Sequence, residues 1–239
     1  MRETPSPRPS DHSISVGAVI LAAGQSRRMS GLDKTFAPLL GRPLILHTLE
    51  VFITCPAVQR TVLVLADSNI EQGRALAQEG AITGEVFLCL GGPRRQDSAR
   101  CGLSALGQCE WVVVHDGARP CLDPALLDMA ISQAQEHGNA VAAVPVTDTI
   151  KVADARGFVS RTPPREELWT VQTPQVFPFS ILKKAYDLGG EEVTDDASLI
   201  ERLGVKVKLI PGSYENIKVT SQHDLAVAEL ILSRRQRPA

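Results

Sequence analysis

The chain has 239 residues, with 25 lysines and arginines against 27 aspartates and glutamates and a net charge of −2. That balance excludes the broad positive surface of a non-specific nucleic-acid or membrane-surface binder, so an anionic ligand has to be met by locally placed cations. Length and a hydrophobic content of 44% fit one α/β domain, here taken as 16–235, with room for a modest insertion.

The opening "MRETPSPRPSDHS" is rich in proline and serine and has no apolar signal core, so 1–15 reads as a disordered tail. From there short apolar runs alternate with amphipathic stretches: "VGAVILAA" then "PLILHTLEVFIT", "TVLVLA" then "NIEQGRALAQEG", "EVFLCL" then "QDSARCGLSAL", "WVVVHD" then "PALLDMAISQAQEHG", and "AVAAVPV". Continuous Val/Ile/Leu strands separated by single helices predict a Rossmann-like, doubly wound α/β fold with a mostly parallel sheet covered on both faces. After Pro145 the rhythm breaks, and 146–174, with short β-like pieces and paired prolines, reads as an inserted β-arm. Helices near "PFSILKKAYDLG" and "DDASLIERLG", strands "VKVKLIP" and "NIKVT", and a last helix from about Ser221 complete the domain.

No apolar run approaches the roughly 20 residues that span a bilayer. The five cysteines, Cys55, Cys89, Cys101, Cys109 and Cys121, form no paired C-x-x-C set, and reduced thiols in a cytoplasmic protein are the expectation.

Ligands of such sheets bind beyond the carboxyl ends of the strands. At the end of the first strand Ala22, Ala23 and Gly24 let backbone N–H groups approach a ligand, and Arg27, Arg28 and Lys34 follow to meet its charge, a combination suited to a polyphosphate. The spacing is neither a Walker A loop nor G-x-G-x-x-G, and a solvated turn with surface cations is the alternative. In "LGGPRRQDSARCG", Gly91, Gly92 and Ser98 either line a base or ribose or form an ordinary strand-to-helix turn. In "VVVHDGARP", Asp116 can hold Mg²⁺ or serve as a loop or N-cap acid, Gly117 permits close approach, and Arg119 adds a forked anion donor. Thr149, Arg165 and Lys218 read singly as surface or arm residues, Asp195 and Asp196 as a helix cap, and the five histidines as structural or exposed.

Taken together, "LAAGQSRRM…DK", "GGPRRQDS", "VVVHDGARP", "PVTDTIK", "TPQVF", "TDDAS" and "NIKVT" resemble, in order and spacing over residues 16–233, the 2-C-methyl-D-erythritol 4-phosphate cytidylyltransferases. The resemblance implies CMP transfer from CTP to methylerythritol 4-phosphate with Mg²⁺. It implies Arg28 and Lys34 at the α-phosphate, Arg165 and Lys218 positioning the attacking phosphate, and Ala22, Ala23, Gly24, Gly92, Ser98 and Gly117 around the nucleotide. Asp116 would serve metal and substrate, and Arg119, Thr149 and Thr173 would contact the substrate. It also implies a homodimer in which the 146–174 arm completes the neighbour's site, and neither a nucleic-acid nor a membrane partner. Gly117 stands where the family commonly has alanine, and Pro93 where many relatives carry an acid. A ribitol 5-phosphate cytidylyltransferase and a non-catalytic CTP-binding protein are the competing readings.

Overall fold

A computed structural model describes residues 14–24, 34–189 and 192–236. The apolar run at the start forms β1 (Ile14–Ala22), whose neighbours are both parallel to it: β4 (Arg60–Leu65) on one side and β6 (Cys109–Asp116) on the other. Two short strands, β2 (Pro38–Leu39) and β3 (Arg42–Pro43), make a small hairpin before α1 (Leu44–Thr54). Beyond β4, α2 (Ile70–Gln78) leads to the parallel edge strand β5 (Val86–Leu90), and α3 (Arg95–Leu106) returns the chain to β6. After β6 come α4 (Pro124–His137) and β7 (Ala140–Pro145).

Alternate residues of β1 belong to different cores, as strand geometry requires of a sheet buried on both faces. Ala18 and Ile20 pack with α1 and α4, through Leu49, Phe52 and Leu127. Val19 and Leu21 pack with α3 and with α5 (Phe179–Asp187) and α6 (Asp196–Arg202), through Leu103, Leu182 and Ile200. This is the two-faced arrangement expected from the unbroken Val/Ile/Leu runs.

The hairpin β8 (Val152–Ala153) and β9 (Val159–Arg161) lies in the predicted insertion, and β10 (Trp169–Pro178) follows it. β10 runs antiparallel between β6 and β7, the one reversed strand of the seven described, and β11 (Leu209–Pro211) closes the far edge parallel to β7. Residues 169–174, read from sequence as arm, are therefore sheet: Thr170 and Val171 pair with Val144 and Ala143. The part outside the sheet is 146–168.

Two further expectations change. The strand at "VKVKLIP" is confined to Leu209–Pro211, and "NIKVT" is not a strand. Its backbone partners are loop and side-chain groups: the Val219 N–H donates to the Ala118 carbonyl, and the Asn216 carbonyl accepts from Arg119. The last helix, α7 (Gln222–Gln236), packs Ala228 and Ile231 against Leu39 of β2 and Leu44 at the start of α1. Among the described residues no helix is long and apolar enough to cross a membrane.

Candidate active site

Because β1, β4, β5 and β6 run parallel, their carboxyl ends open on one edge, and a cleft of about 630 Å³ lies there. Ala22, Ala23 and Gly24 line it from β1, Gly92 and Ser98 from the turn after β5, and Asp116 from β6, with Lys34 and Lys218 in its wall. The turn after β5 is tight: a Cβ at Gly92 would run into the Asp97 side chain, and one at Gly91 into Ala23. Ser98 Oγ accepts the Gly92 N–H at 3.2 Å and lies 3.1 Å from the Arg94 carbonyl, so its hydroxyl fixes the turn that faces the cleft. Asp97 completes the start of α3 by accepting from the Arg94 backbone and guanidinium, a cap that orders the first turn.

A second cavity, about 650 Å³, lies on the other side of Asp116 and is lined by Arg119, Gln172, Thr173 and Gln175. Arg95, Asp116 and Lys218 line both cavities and form the wall between them. Lys218 Nζ reaches Asp116 Oδ2 at 2.8 Å, while Arg95 Nε and Arg119 Nε each stand 3.7 Å from one of its oxygens. Burial would raise the Asp116 pKa, but the charges of Lys218, Arg95 and Arg119 outweigh it and hold the carboxyl well below the usual carboxylate range. The Asp116 N–H donates to Thr173 Oγ1 at 3.0 Å, which ties β6 to β10 at this point.

The neighbouring His115 points into the core against Phe52, with ring centroids 5.2 Å apart. Burial pushes its pKa down to about 3, so the ring is neutral at physiological pH. This agrees with reading it as structural.

Lys218 sits on a loop, and buried polar contacts place it. Asn216 Nδ2 donates to the Thr173 carbonyl at 2.8 Å and to Gln172 Oε1 at 3.3 Å, while the Asn216 carbonyl accepts from Arg119 Nη1 at 2.7 Å. Gln172 Nε2 in turn donates to the Ser213 carbonyl at 2.8 Å. The loop thus replaces a strand ladder with side-chain bonds, and Lys218 projects to Asp116.

The remaining predicted residues separate into groups. Gly117 does not line either cavity; a Cβ there would lie 2.9 Å from Ile45 Cδ1 and 3.0 Å from Ala22 Cβ, so its small size serves packing behind the cleft. Thr149 and Arg165 are exposed on the 146–168 segment and line neither cavity of this chain, and Arg165 donates to the Thr147 carbonyl at 3.1 Å. Arg27 and Arg28 lie outside the described residues. Asp195 caps α6 by accepting the Ser198 N–H at 3.2 Å. Asp196 instead faces inward, where it accepts from Arg95 Nη2 at 2.7 Å and from the Tyr186 hydroxyl. Sequence reasoning missed Arg95, Asn216 and Tyr186, although Arg95 stands in the same glycine turn as Gly92 and Ser98.

As a cation site, the wall offers one ionised carboxylate, and no cluster of three or more His, Cys, Asp or Glu that could hold a metal occurs among the described residues. That donor set fits Mg²⁺ only in the form in which the ion keeps waters and takes most remaining ligands from substrate phosphates. Arg95, Arg119 and Lys218 still outnumber Asp116 and Asp196, the second carboxylate paired to Arg95, so the wall keeps a positive excess that favours a phosphate-bearing ligand.

The family model described as IspD, 2-C-methyl-D-erythritol 4-phosphate cytidylyltransferase, matches residues 16–234. The chain is 48% identical over 219 residues to the protein of that name from a strain of Dehalococcoides mccartyi, covering 92% of this chain and 96% of the relative. It is 45% identical over 219 residues to the one from Bacillus velezensis, covering 90% and 94%. Among solved structures, the 4-diphosphocytidyl-2C-methyl-D-erythritol synthase of Anaerococcus prevotii superimposes with a TM-score of 0.82 at 30% identity, over 92% of this chain and 96% of that one. The cytidylyltransferase of Thermus thermophilus does so with 0.73 at 32% identity, over 93% and 99%.

Proposed function

Since the chain belongs to the 2-C-methyl-D-erythritol 4-phosphate cytidylyltransferase family, we propose that its two joined cavities hold CTP and methylerythritol 4-phosphate on either side of the Asp116 wall. The enzyme transfers CMP from CTP to the acceptor, giving CDP-methylerythritol and pyrophosphate in non-mevalonate isoprenoid biosynthesis. The observation that carries the assignment of sites is the sharing of Arg95, Asp116 and Lys218 by both cavities.

The glycine-lined cleft takes the nucleotide. Ala22, Ala23, Gly24 and Gly92 present backbone to it, and Lys34 in its wall meets the triphosphate; the family resemblance adds Arg28 to that role. The second cavity takes the acceptor, with Arg119 and Thr173 in its wall. A phosphate monoester is already an anion near neutral pH, so the attacking oxygen needs no general base, and the neutral, buried His115 is not required as one. The residues position the two phosphates in line and stabilise charge as it moves to the leaving pyrophosphate. Lys218 stands at the junction, where it can hold the acceptor phosphate against the α-phosphate. Mg²⁺, when bound, supplies charge neutralisation on the nucleotide phosphates, and Asp116 is the residue that would hold it.

The 146–168 segment serves a second subunit in this reading. Its Phe158 and Val159 are largely exposed and Trp169 at the start of β10 is partly so, apolar surface suited to burial in a homodimer. Thr149 and Arg165 would then complete the partner's acceptor cavity.

Product analysis tests the assignment. Incubated with CTP, Mg²⁺ and either methylerythritol 4-phosphate or ribitol 5-phosphate, the enzyme is expected to yield the CDP derivative of the first, identified by mass. A CDP derivative of ribitol alone would move the acceptor, and nucleotide binding with neither product would overturn the enzymatic reading.

A further inference from the structure

Arg95 meets two carboxylates unequally. Its Nη2 is 2.7 Å from Asp196 Oδ2, but its Nε is 3.7 Å from Asp116 Oδ1, beyond a hydrogen bond. Asp196 is fully buried, and the only other side-chain donor to it among the described hydrogen bonds is the Tyr186 hydroxyl. Tyr186 is 4% exposed, packed with Leu182 and Ala185 in the core between α5 and α6. Its carbonyl accepts from Arg100 Nη2 at 2.7 Å, so α3 grips α5 at the same residue. A relay therefore runs from Tyr186 through Asp196 and Arg95 to the face of Asp116, while Lys218 is the cation that contacts Asp116 at hydrogen-bond distance.

Resting on the cytidylyl-transfer reading, we propose that Tyr186 is a positioning residue for that reaction. Its hydroxyl fixes the Asp196 carboxylate, which holds the Arg95 guanidinium back from Asp116 and keeps its other donors turned to the cavities. Without that hydroxyl, Arg95 is the one side-chain donor left to Asp196 among the described hydrogen bonds, and the carboxylate can turn together with the guanidinium. Arg95 then closes on Asp116 and competes with Lys218 for the same carboxylate. Tyr186 touches neither cavity's shared wall and acts only through its neighbours.

The test is Tyr186→Phe, which keeps the ring in the core and removes one oxygen. At a temperature where its melting curve shows the chain fully folded, kcat should fall about 10-fold, short of the roughly 10²-fold that a 1 Å misplacement can cost. KM for CTP and for the acceptor should stay within about twofold, because every lining side chain is kept and the displaced Arg95 donors act on charge that develops in the transition state. Side-chain ¹⁵N NMR of the Arg95 guanidinium, identified by its absence in Arg95→Lys, should show its Nε resonance shifted in the variant, as Nε gains the Asp116 carboxylate as an acceptor that it lacks at 3.7 Å in the wild type. Unchanged kcat overturns the proposal. So does a lower kcat with the Arg95 signals unaltered, since Tyr186 would then act by another route. If the wild type makes no CDP product at all, the functional reading fails, and the NMR comparison still decides whether Tyr186 sets the position of Arg95.

Discussion

The Asp116 wall and the 146–168 segment both carry residues expected to meet substrate, yet they are built in opposite ways. At the wall, every placed charge has a neighbour of opposite sign or a hydrogen-bond partner on a different element: Arg95 from α3, Asp116 from β6, and Lys218 from the loop before α7. On the segment, contacts are short-range, as in the Lys151 Nζ bond to Thr162 Oγ1 at 2.8 Å and the Asp154 carboxylate accepting the Phe158 N–H at 3.0 Å. Thr149 and Arg165 are left on the exterior. A pre-formed wall can orient phosphates within one subunit. An exposed arm with apolar faces gains its order, in the proposed reading, from a second copy.

The sharpest way to break that contrast is to remove a cation from each region. Lys34→Ala should lower kcat by about 10² to 10³, the range for losing one donor to developing charge. Arg165→Ala should cost about 10- to 100-fold through a lost charged hydrogen bond to the acceptor phosphate, with Tm unchanged because the side chain is exposed. Mixing the two impaired proteins under conditions of proven subunit exchange should then raise activity above that of either alone, because one heterodimer site would contain both intact residues. No recovery would place Arg165 in its own subunit's chemistry or outside it.

A smaller effect is expected from Asn216→Ala. The loss of the amide's contacts with Gln172 and Thr173 should destabilise the fold by about 1–3 kcal/mol and reduce kcat through Lys218, measured by urea melts and turnover. A stability loss with normal kcat would show that Lys218 is placed without this loop. The mildest change in turnover is Gly117→Ala. Ile45 Cδ1 is the mobile end of a side chain and can yield, but Ala22 Cβ at 3.0 Å and the Leu21 carbonyl at 3.2 Å belong to β1 and must shift slightly, so the cost should be about 1–3 kcal/mol with kcat within about threefold. A large loss of CTP binding would instead make Gly117 part of the nucleotide surface.

Much of this was legible in the chain. Unbroken runs such as "VGAVILAA" and "TVLVLA", alternating with amphipathic stretches, read as two-faced strands, and Gly24, Gly92 and Asp116, at the carboxyl ends of β1, β5 and β6, do face one cleft. What escaped was non-local. "NIKVT" has the β-branched composition of a strand, but Asn216 and Arg119 bind its backbone and neighbouring strand ends into a loop. The antiparallel course of β10 follows from its place between β6 and β7, which its own sequence does not encode. Asp195 and Asp196 are identical neighbours in sequence; only folding sends one to a helix cap and the other to Arg95.

The most direct test of the central claim is pyrophosphate release from CTP and Mg²⁺ with and without methylerythritol 4-phosphate, in wild type and Lys34→Ala. Release that requires the acceptor and drops at least about 100-fold in the variant is the predicted result. Release independent of acceptor, or equal in the two proteins, would contradict the transfer mechanism built on this cleft.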